Sequence, residues 1–222
     1  MRFTLKNVHF SIDDIGKSMI WLATYNPPSI FDMRLYGTLK RWHDLYDLNV
    51  TLYCYAKIRD FSFDQIPEKY KYEFEKNKWL RFGYHGRVDT PMKDNDDYVQ
   101  EHKLFLETAK RLGMATTDIY RLDYWIPTLD QKRYFMDNGV RVLLYPDDDN
   151  YPYDANDEFE EDGLLFWRTN IRFDIIENID SLKRYMSKDR LVVFAHEWAF
   201  DKQMTNIEQA IQLFKRLDYR FI

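Results

Sequence analysis

Residues 3–12 alternate between apolar and polar positions and then run apolar, the pattern of a strand. That run ends in His9-Phe10-Ser11-Ile12-Asp13-Asp14-Ile15-Gly16. After Asn26-Pro27-Pro28, Ser29 reads as the N-cap of an amphipathic helix to about Tyr46. Its apolar positions Ile30, Met33, Leu35, Leu39, Trp42, Leu45 and Tyr46 recur mostly three and four residues apart. Val50–Tyr55 is a second strand of β-formers. Pro67 opens a charged, Tyr-rich helix to about Lys76, and Trp79–Tyr84 gives a third strand. A long helix at about Tyr98–Leu112 is stopped by Gly113. Ile119–Leu122 is a short strand, Thr128 caps a helix ended by Asn138-Gly139, and Val140–Tyr145 is a strand of a buried type.

Residues 146–163, acidic and rich in Asp, Tyr and Pro, read as a long loop, and Leu164–Trp167 with Ile171–Ile176 as an extra hairpin. A helix over 179–186, a buried strand Leu191–Ala195, a helix Ile207–Leu217 and a final strand Tyr219–Ile222 complete the chain. Strand and helix alternate six or seven times, which argues for parallel strands with helices outside. The expectation is an α/β fold, a single-domain distorted (β/α)7-type barrel over residues 1–222, with the acidic loop and hairpin as an insertion around 146–176. No Gly-rich phosphate loop follows the first strand, which weakens a nucleotide-binding reading.

Composition narrows the function. Aromatic residues make up 18% of the chain, an excess that suits sugar faces as well as core and rim packing. A net charge of −5 argues against a nucleic-acid partner. Cys54 is the only cysteine, so neither an internal disulfide nor a Cys-rich metal site can form. The N-terminus runs into the first strand without room for a signal peptide, and no apolar run approaches membrane-spanning length. A cytoplasmic protein with no membrane partner is expected.

Four strand ends carry the candidate chemistry. Asp13 and Asp14 close the first strand; alternation points them in different directions, so one acid is free to hold a metal while the other handles a proton. A turn with a helix cap is the plainer alternative. His85 and Asp89, four apart after the third strand, suit a borderline divalent ion such as Zn²⁺, or are a surface loop. Arg121, in Tyr120-Arg121-Leu122-Asp123-Tyr124-Trp125, has the fork to orient a neighbouring carboxylate, or is a surface ion pair. His196 leaves a buried strand as a candidate general acid or as a structural imidazole. His9, His43 and His102 read as structural, and Trp125, Trp167 and Trp198 as sugar-stacking or packing residues.

The order Ser-Ile-Asp13-Asp14, His85-x-x-x-Asp89, Arg121-x-x-Tyr124 and strand-His196 resembles the polysaccharide deacetylase family, the NodB-type carbohydrate esterases. Those enzymes read T-F-D-D-G, H-S-x-x-H, R-x-P-Y and L-x-H in that order. The likeness spans roughly residues 8–196. Asp89 stands where the family has a second metal-binding His, Gly86 where it has Ser, and Asp123 where it has Pro. The family's D-x-x-D-W has no clean counterpart, with Asp147 and Asp149 near its place.

The resemblance implies that Asp14, His85 and Asp89 hold a divalent metal, Zn²⁺ first, with Co²⁺, Ni²⁺ or Fe²⁺ as alternatives. It implies Asp13 as the base, Arg121 holding its carboxylate, the Tyr124 N–H at the oxyanion and His196 protonating the leaving amine. Asp13 and His196 would then need opposite protonation states. The expected partner is an N-acetylated sugar or glycan precursor. A catalytically lapsed carbohydrate-binding relative is one alternative. The other is a metal-free glycoside hydrolase pairing Asp13 or Asp14 with Asp123 or Glu197.

Overall fold

The computed structural model describes residues 5–86, 95–122, 127–145 and 157–222, with the side chains of 95 and 96 excepted. β1 (Asn7–Ile15) leads into α1 (Lys17–Tyr25), and α2 (Arg34–Tyr46) into β2 (Val50–Tyr55). A small antiparallel pair, β3 (Lys57–Ile58) and β4 (Phe61–Ser62), precedes α3 (Lys71–Lys76) and β5 (Leu80–Gly86). α4 (Asn95–Arg111), β6 (Ala115–Thr116) and β7 (Ile119–Arg121) follow, then α5 (Leu129–Asp137) and β8 (Val142–Tyr145). The last third holds β9 (Glu158–Glu161), β10 (Leu164–Arg168), β11 (Ile171–Arg172), β12 (Arg190–His196), α6 (Glu197–Arg216) and β13 (Arg220–Phe221).

One sheet runs β11-β12-β1-β2-β5-β6 with β13 beside β1, and a second runs β7-β8-β10-β9. Within these two sheets every pair is parallel except β9 with β10. The architecture is the α/β, distorted (β/α)7-type barrel, and its two sheets are joined at seams by side chains. At the β5–β7 seam the Tyr53 hydroxyl donates to the Ile119 carbonyl at 2.9 Å and the His85 Nδ1–H to the Arg121 carbonyl at 2.7 Å. Gly83 makes the first of these possible: a Cβ there would lie 2.5 Å from the Tyr53 ring, so a side chain would block its path across β5. At the other seam Asn170 bonds Val192 twice, through its own N–H and through its side-chain oxygen, both at 2.8 Å.

Tyr53, Ile119, Val142, Leu144 and Val192 pack together although β2, β7, β8 and β12 are not all neighbours, so the strands curve around them. The opposite face of β1 carries Val8, Phe10 and Ile12 into the larger core beneath the helices. That alternation of inner and outer rows is the period-two consequence of a strand buried on both faces.

Several boundaries differ from the sequence expectation. Ser29 caps a one-turn 3-10 helix, Ile30–Asp32, through a capping box, and α2 starts only at Arg34. Residues 179–186 form a 3-10 helix, Ile179–Tyr185. α6 begins at Glu197, ten residues before the expected start, because Ala199, Phe200, Gln203 and Ile207 already form a buried helical stripe. The expected hairpin between Leu164–Trp167 and Ile171–Ile176 does not form. β10 instead pairs antiparallel with β9 and parallel with β8, while β11 lies parallel to β12. Thr169-Asn170 is the step from one sheet to the other, which separates the two segments. The strand Glu158–Glu161 lies in what was read as the acidic loop, of which residues 146–156 are outside the described residues.

Two buried imidazoles tie stability to pH. Burial lowers His102 to about 4, between the hydroxyls of Tyr120 at 2.9 Å and Tyr134 at 3.1 Å. Burial, with the charges of Arg121 and Arg81, lowers His9 to about 3. Unfolded imidazoles titrate near ~6.5, so between that pH and about 4 the unfolded chain binds protons that the folded chain refuses. Stability therefore falls as pH falls through this window, by on the order of 1–2 kcal/mol for each imidazole between pH 7 and 5. Urea unfolding at the two pH values measures it; equal stability at both would contradict the neutral, buried assignment.

Candidate active site at the strand tips

The chain brings five of the seven expected site residues to one end of the barrel. Asp13 ends the β1–β12 ladder opposite His196. Between Ile12 and Ile15 the register of β1 against β2 slips, and Asp14 adopts a left-handed φ of +59°. Such a conformation is uncommon outside Gly and best tolerated by Asp and Asn. It turns two consecutive carboxylates, which alternation alone would send to opposite faces, toward one pocket.

Asp13 is fully buried. Its Oδ1 accepts the Ser11 hydroxyl at 2.8 Å, and Arg121 Nε lies 2.7 Å from its Oδ2, a charge contact off the straight hydrogen-bond line. Arg121 Nη1 donates to Thr169 Oγ1 at 2.9 Å. Arg121 thus bridges Asp13 on β1 to Thr169. Its guanidinium also lies 4.3 Å above the Phe194 ring.

Asp14 divides its two oxygens. Oδ1 accepts the Tyr55 hydroxyl at 2.5 Å and lies 3.2 Å from His85 Nε2. Oδ2 accepts the Trp198 indole N–H at 3.0 Å, with His196 Nε2 3.7 Å away. Burial pushes the Asp14 carboxyl up, but the His85 hydrogen bond and charge, the Tyr55 hydroxyl and the His196 charge outweigh it and hold the group below the ordinary carboxylate range.

The two imidazoles are held alike and differ in their anchors. His85 spends Nδ1–H on a neutral backbone carbonyl, that of Arg121. Its Nε2 faces Asp14 Oδ1, donating to the carboxylate when protonated and offering a lone pair to a cation when not. His196 spends Nδ1–H on the carboxylate of Asp174, whose other oxygen accepts the His196 backbone N–H at 3.0 Å. Arg172 Nε donates to the same Asp174 at 3.0 Å. Burial raises the Asp174 carboxyl, and the bonds from His196 and Arg172 more than offset it, so the group stays charged beside the imidazole.

The sequence reading missed Asp174, having looked to Asp147 and Asp149, which lie outside the described residues. Arg172-Phe-Asp174 offers a local cue, a charged pair two residues apart just past a strand. Its value appears only once β11 is laid parallel to β12. Tyr55 meets Asp14 only because β2 lies beside β1, whereas Ser11, two residues before Asp13 on the same strand, stands in the sequence motif without an assigned role. Asp89 and Tyr124 also lie outside the described residues. Among the described residues no cluster of three His, Cys, Asp or Glu has the geometry of a metal site by itself. Asp14 and His85 supply one hard oxygen and one imidazole nitrogen, a donor pair that fits a borderline divalent ion such as Zn²⁺.

Compared by sequence, the chain matches no family model and no curated protein. Compared by structure, it is similar to a peptidoglycan N-acetylglucosamine deacetylase, with a TM-score of 0.59 and 11% identity over 97% of this chain and 85% of that one. It is likewise similar to a family 4 carbohydrate esterase from Streptomyces lividans, with a TM-score of 0.55 and 11% identity over 96% and 90% of the two chains. This is the polysaccharide deacetylase fold. A 4-alpha-glucanotransferase from Thermococcus litoralis shares it, at a TM-score of 0.63 and 11% identity, over 99% of this chain and 39% of that one. A deacetylase fold thus carries more than one chemistry, and function is argued from the site.

In this deacetylase fold Glu197, next to His196, is a structural clamp. Its Oε2 accepts the N–H groups of Gly16 at 2.9 Å and Lys17 at 2.8 Å, and its Oε1 that of Ser18 at 2.7 Å. It caps α1, whose own N-cap Gly16 has no side chain to do so, and it fixes the turn that follows Asp14. Glu197→Ala strips three N–H groups of their acceptor. Urea denaturation should register a loss of about 1–3 kcal/mol; a variant as stable as the parent would remove Glu197 from this role.

Proposed function

We propose that the protein is a metal-dependent hydrolase that removes an acetyl group from an N-acetylated sugar or glycan precursor. The observation that carries the reading is the contrast between the two imidazole anchors: a neutral carbonyl behind His85, a carboxylate behind His196. A neutral acceptor favours the uncharged, ligating imidazole. An anionic acceptor favours an imidazolium that is able to give up a proton. One pocket thus holds a ligand histidine and an acid histidine on opposite sides of Asp14.

Asp14 and His85 would hold the divalent ion, with Asp89 as the candidate third donor. When bound, such an ion polarises the acetyl carbonyl and acidifies the attacking water. Asp13, held against Arg121 and oriented by Ser11, takes the proton of that water. As the amide C–N bond breaks, His196 delivers its Nε2 proton to the departing sugar amine, and Asp174 steadies the ring in both states. A family 4 esterase of the same fold has been solved with acetate, which fits acetyl release as the chemistry this pocket supports.

Two competing readings lose ground. A metal-free glycosidase needs a second free carboxylate; of the two candidates named for it, Glu197 spends both oxygens on backbone N–H groups, and Asp123 lies outside the described residues. A lapsed site was suggested in part by a missing partner for His196, and Asp174 fills that position.

Calorimetric Zn²⁺ titration and turnover of N-acetylglucosamine oligomers test the roles together. Asp14→Ala and His85→Ala should lose metal binding. Asp13→Ala and Asp174→Asn should keep it while kcat drops by roughly 10²–10⁴-fold. Undiminished Zn²⁺ affinity in the first pair contradicts the assignment.

A further inference from the structure

Trp198 is 65% exposed, so core packing does not explain its side chain. It is the second residue of α6, and it makes two directed contacts. Its indole N–H donates to Asp14 Oδ2 at 3.0 Å, and its ring lies 5.0 Å from the His196 ring at an interplanar angle of 17°. Asp14 thereby has Oδ1 beside His85, held there by the Tyr55 hydroxyl, and Oδ2 tied down by the indole.

We infer that Trp198 is a positioning residue that makes Asp14 a one-oxygen ligand. The inference rests on the metal-dependent reading above. A carboxylate free to rotate about Cβ–Cγ can meet a cation through one oxygen or both. The Tyr55 hydroxyl on Oδ1 and the indole N–H on Oδ2 together fix the rotation, and the indole occupies a lone pair of Oδ2, so that only Oδ1 lies beside His85 Nε2. One-oxygen coordination keeps positions open for water and for the acetyl oxygen, as a catalytic rather than structural metal site requires. Indole suits the task because it is a donor only and does not titrate, so the orientation holds while neighbouring histidines change charge. Its flat stacking on His196 ties the acid and the ligand to the same ring.

The experiment compares the parent with Trp198→Phe, which keeps a ring against His196 and loses only the N–H. Apo proteins are titrated with Co²⁺ by calorimetry, and the visible Co²⁺ spectrum, which reports coordination number, is recorded at saturation. Loss of such an outer hydrogen bond should weaken Co²⁺ binding by roughly 10-fold or more. The visible bands should weaken as Asp14 turns to two-oxygen binding and the coordination number rises. The melting temperature without metal should stay unchanged, since little buried surface is lost. Co²⁺ affinity and spectrum both equal to the parent's would overturn the role of Trp198 and leave the deacetylase reading standing. A folded parent that takes up no Co²⁺ would overturn that reading and this inference with it.

Discussion

The pocket depends on what each histidine does with Nδ1. An imidazole has two nitrogens, and fixing the proton on one decides what the other can do. His85 is committed by a backbone carbonyl and His196 by a carboxylate, and both present Nε2 to the same Asp14. In the proposed reaction the division between ligand and acid follows from the anchors, although the side chains are chemically identical. The His85 bond has a second function, because the Arg121 carbonyl it uses belongs to β7, across the seam between the two sheets. Closing the barrel and setting the tautomer are therefore one interaction.

The surrounding structure keeps that geometry from relaxing. The register slip and left-handed backbone at Asp14 are held by Glu197, which clamps the N–H groups of Gly16, Lys17 and Ser18 from about 180 residues away. Arg121 spans the interior from Asp13 to Thr169 and lies over Phe194, so β1, β7 and β12 are tied together by one guanidinium. Gly83 clears the path for Tyr53, whose hydroxyl supports the seam one layer below His85. Strain at a functional turn is tolerated when its surroundings over-determine it in this way.

The amino-acid sequence made the strand tips legible. Asp13-Asp14, His85, Arg121 and His196 each end or follow a short run of β-formers, and a strand end is visible in local pattern. What stayed hidden depends on register and distance. Asp174 becomes a partner of His196 only when β11 lies alongside β12, and no spacing along the chain encodes that pairing. α1 was not foreseen because its segment is apolar over most of its length and its cap is Glu197, about 180 residues away. Gly86, a departure from the family pattern, has a local cause: it stands at φ +96°, a conformation that favours glycine. The mistaken hairpin was a failure of pairing, since Leu164–Trp167 and Ile171–Ile176 both read as extended segments and only the sheet assignment separates them.

The central claim is that Asp14 and His85 face each other in order to share a cation. A crystal soaked in Zn²⁺ and measured at the zinc absorption edge tests it directly. The account predicts an anomalous peak about 2.0–2.2 Å from both His85 Nε2 and Asp14 Oδ1, with His85 Nδ1 still bonded to the Arg121 carbonyl. A peak bound elsewhere, or an imidazole turned so that Nε2 leaves Asp14, would contradict it.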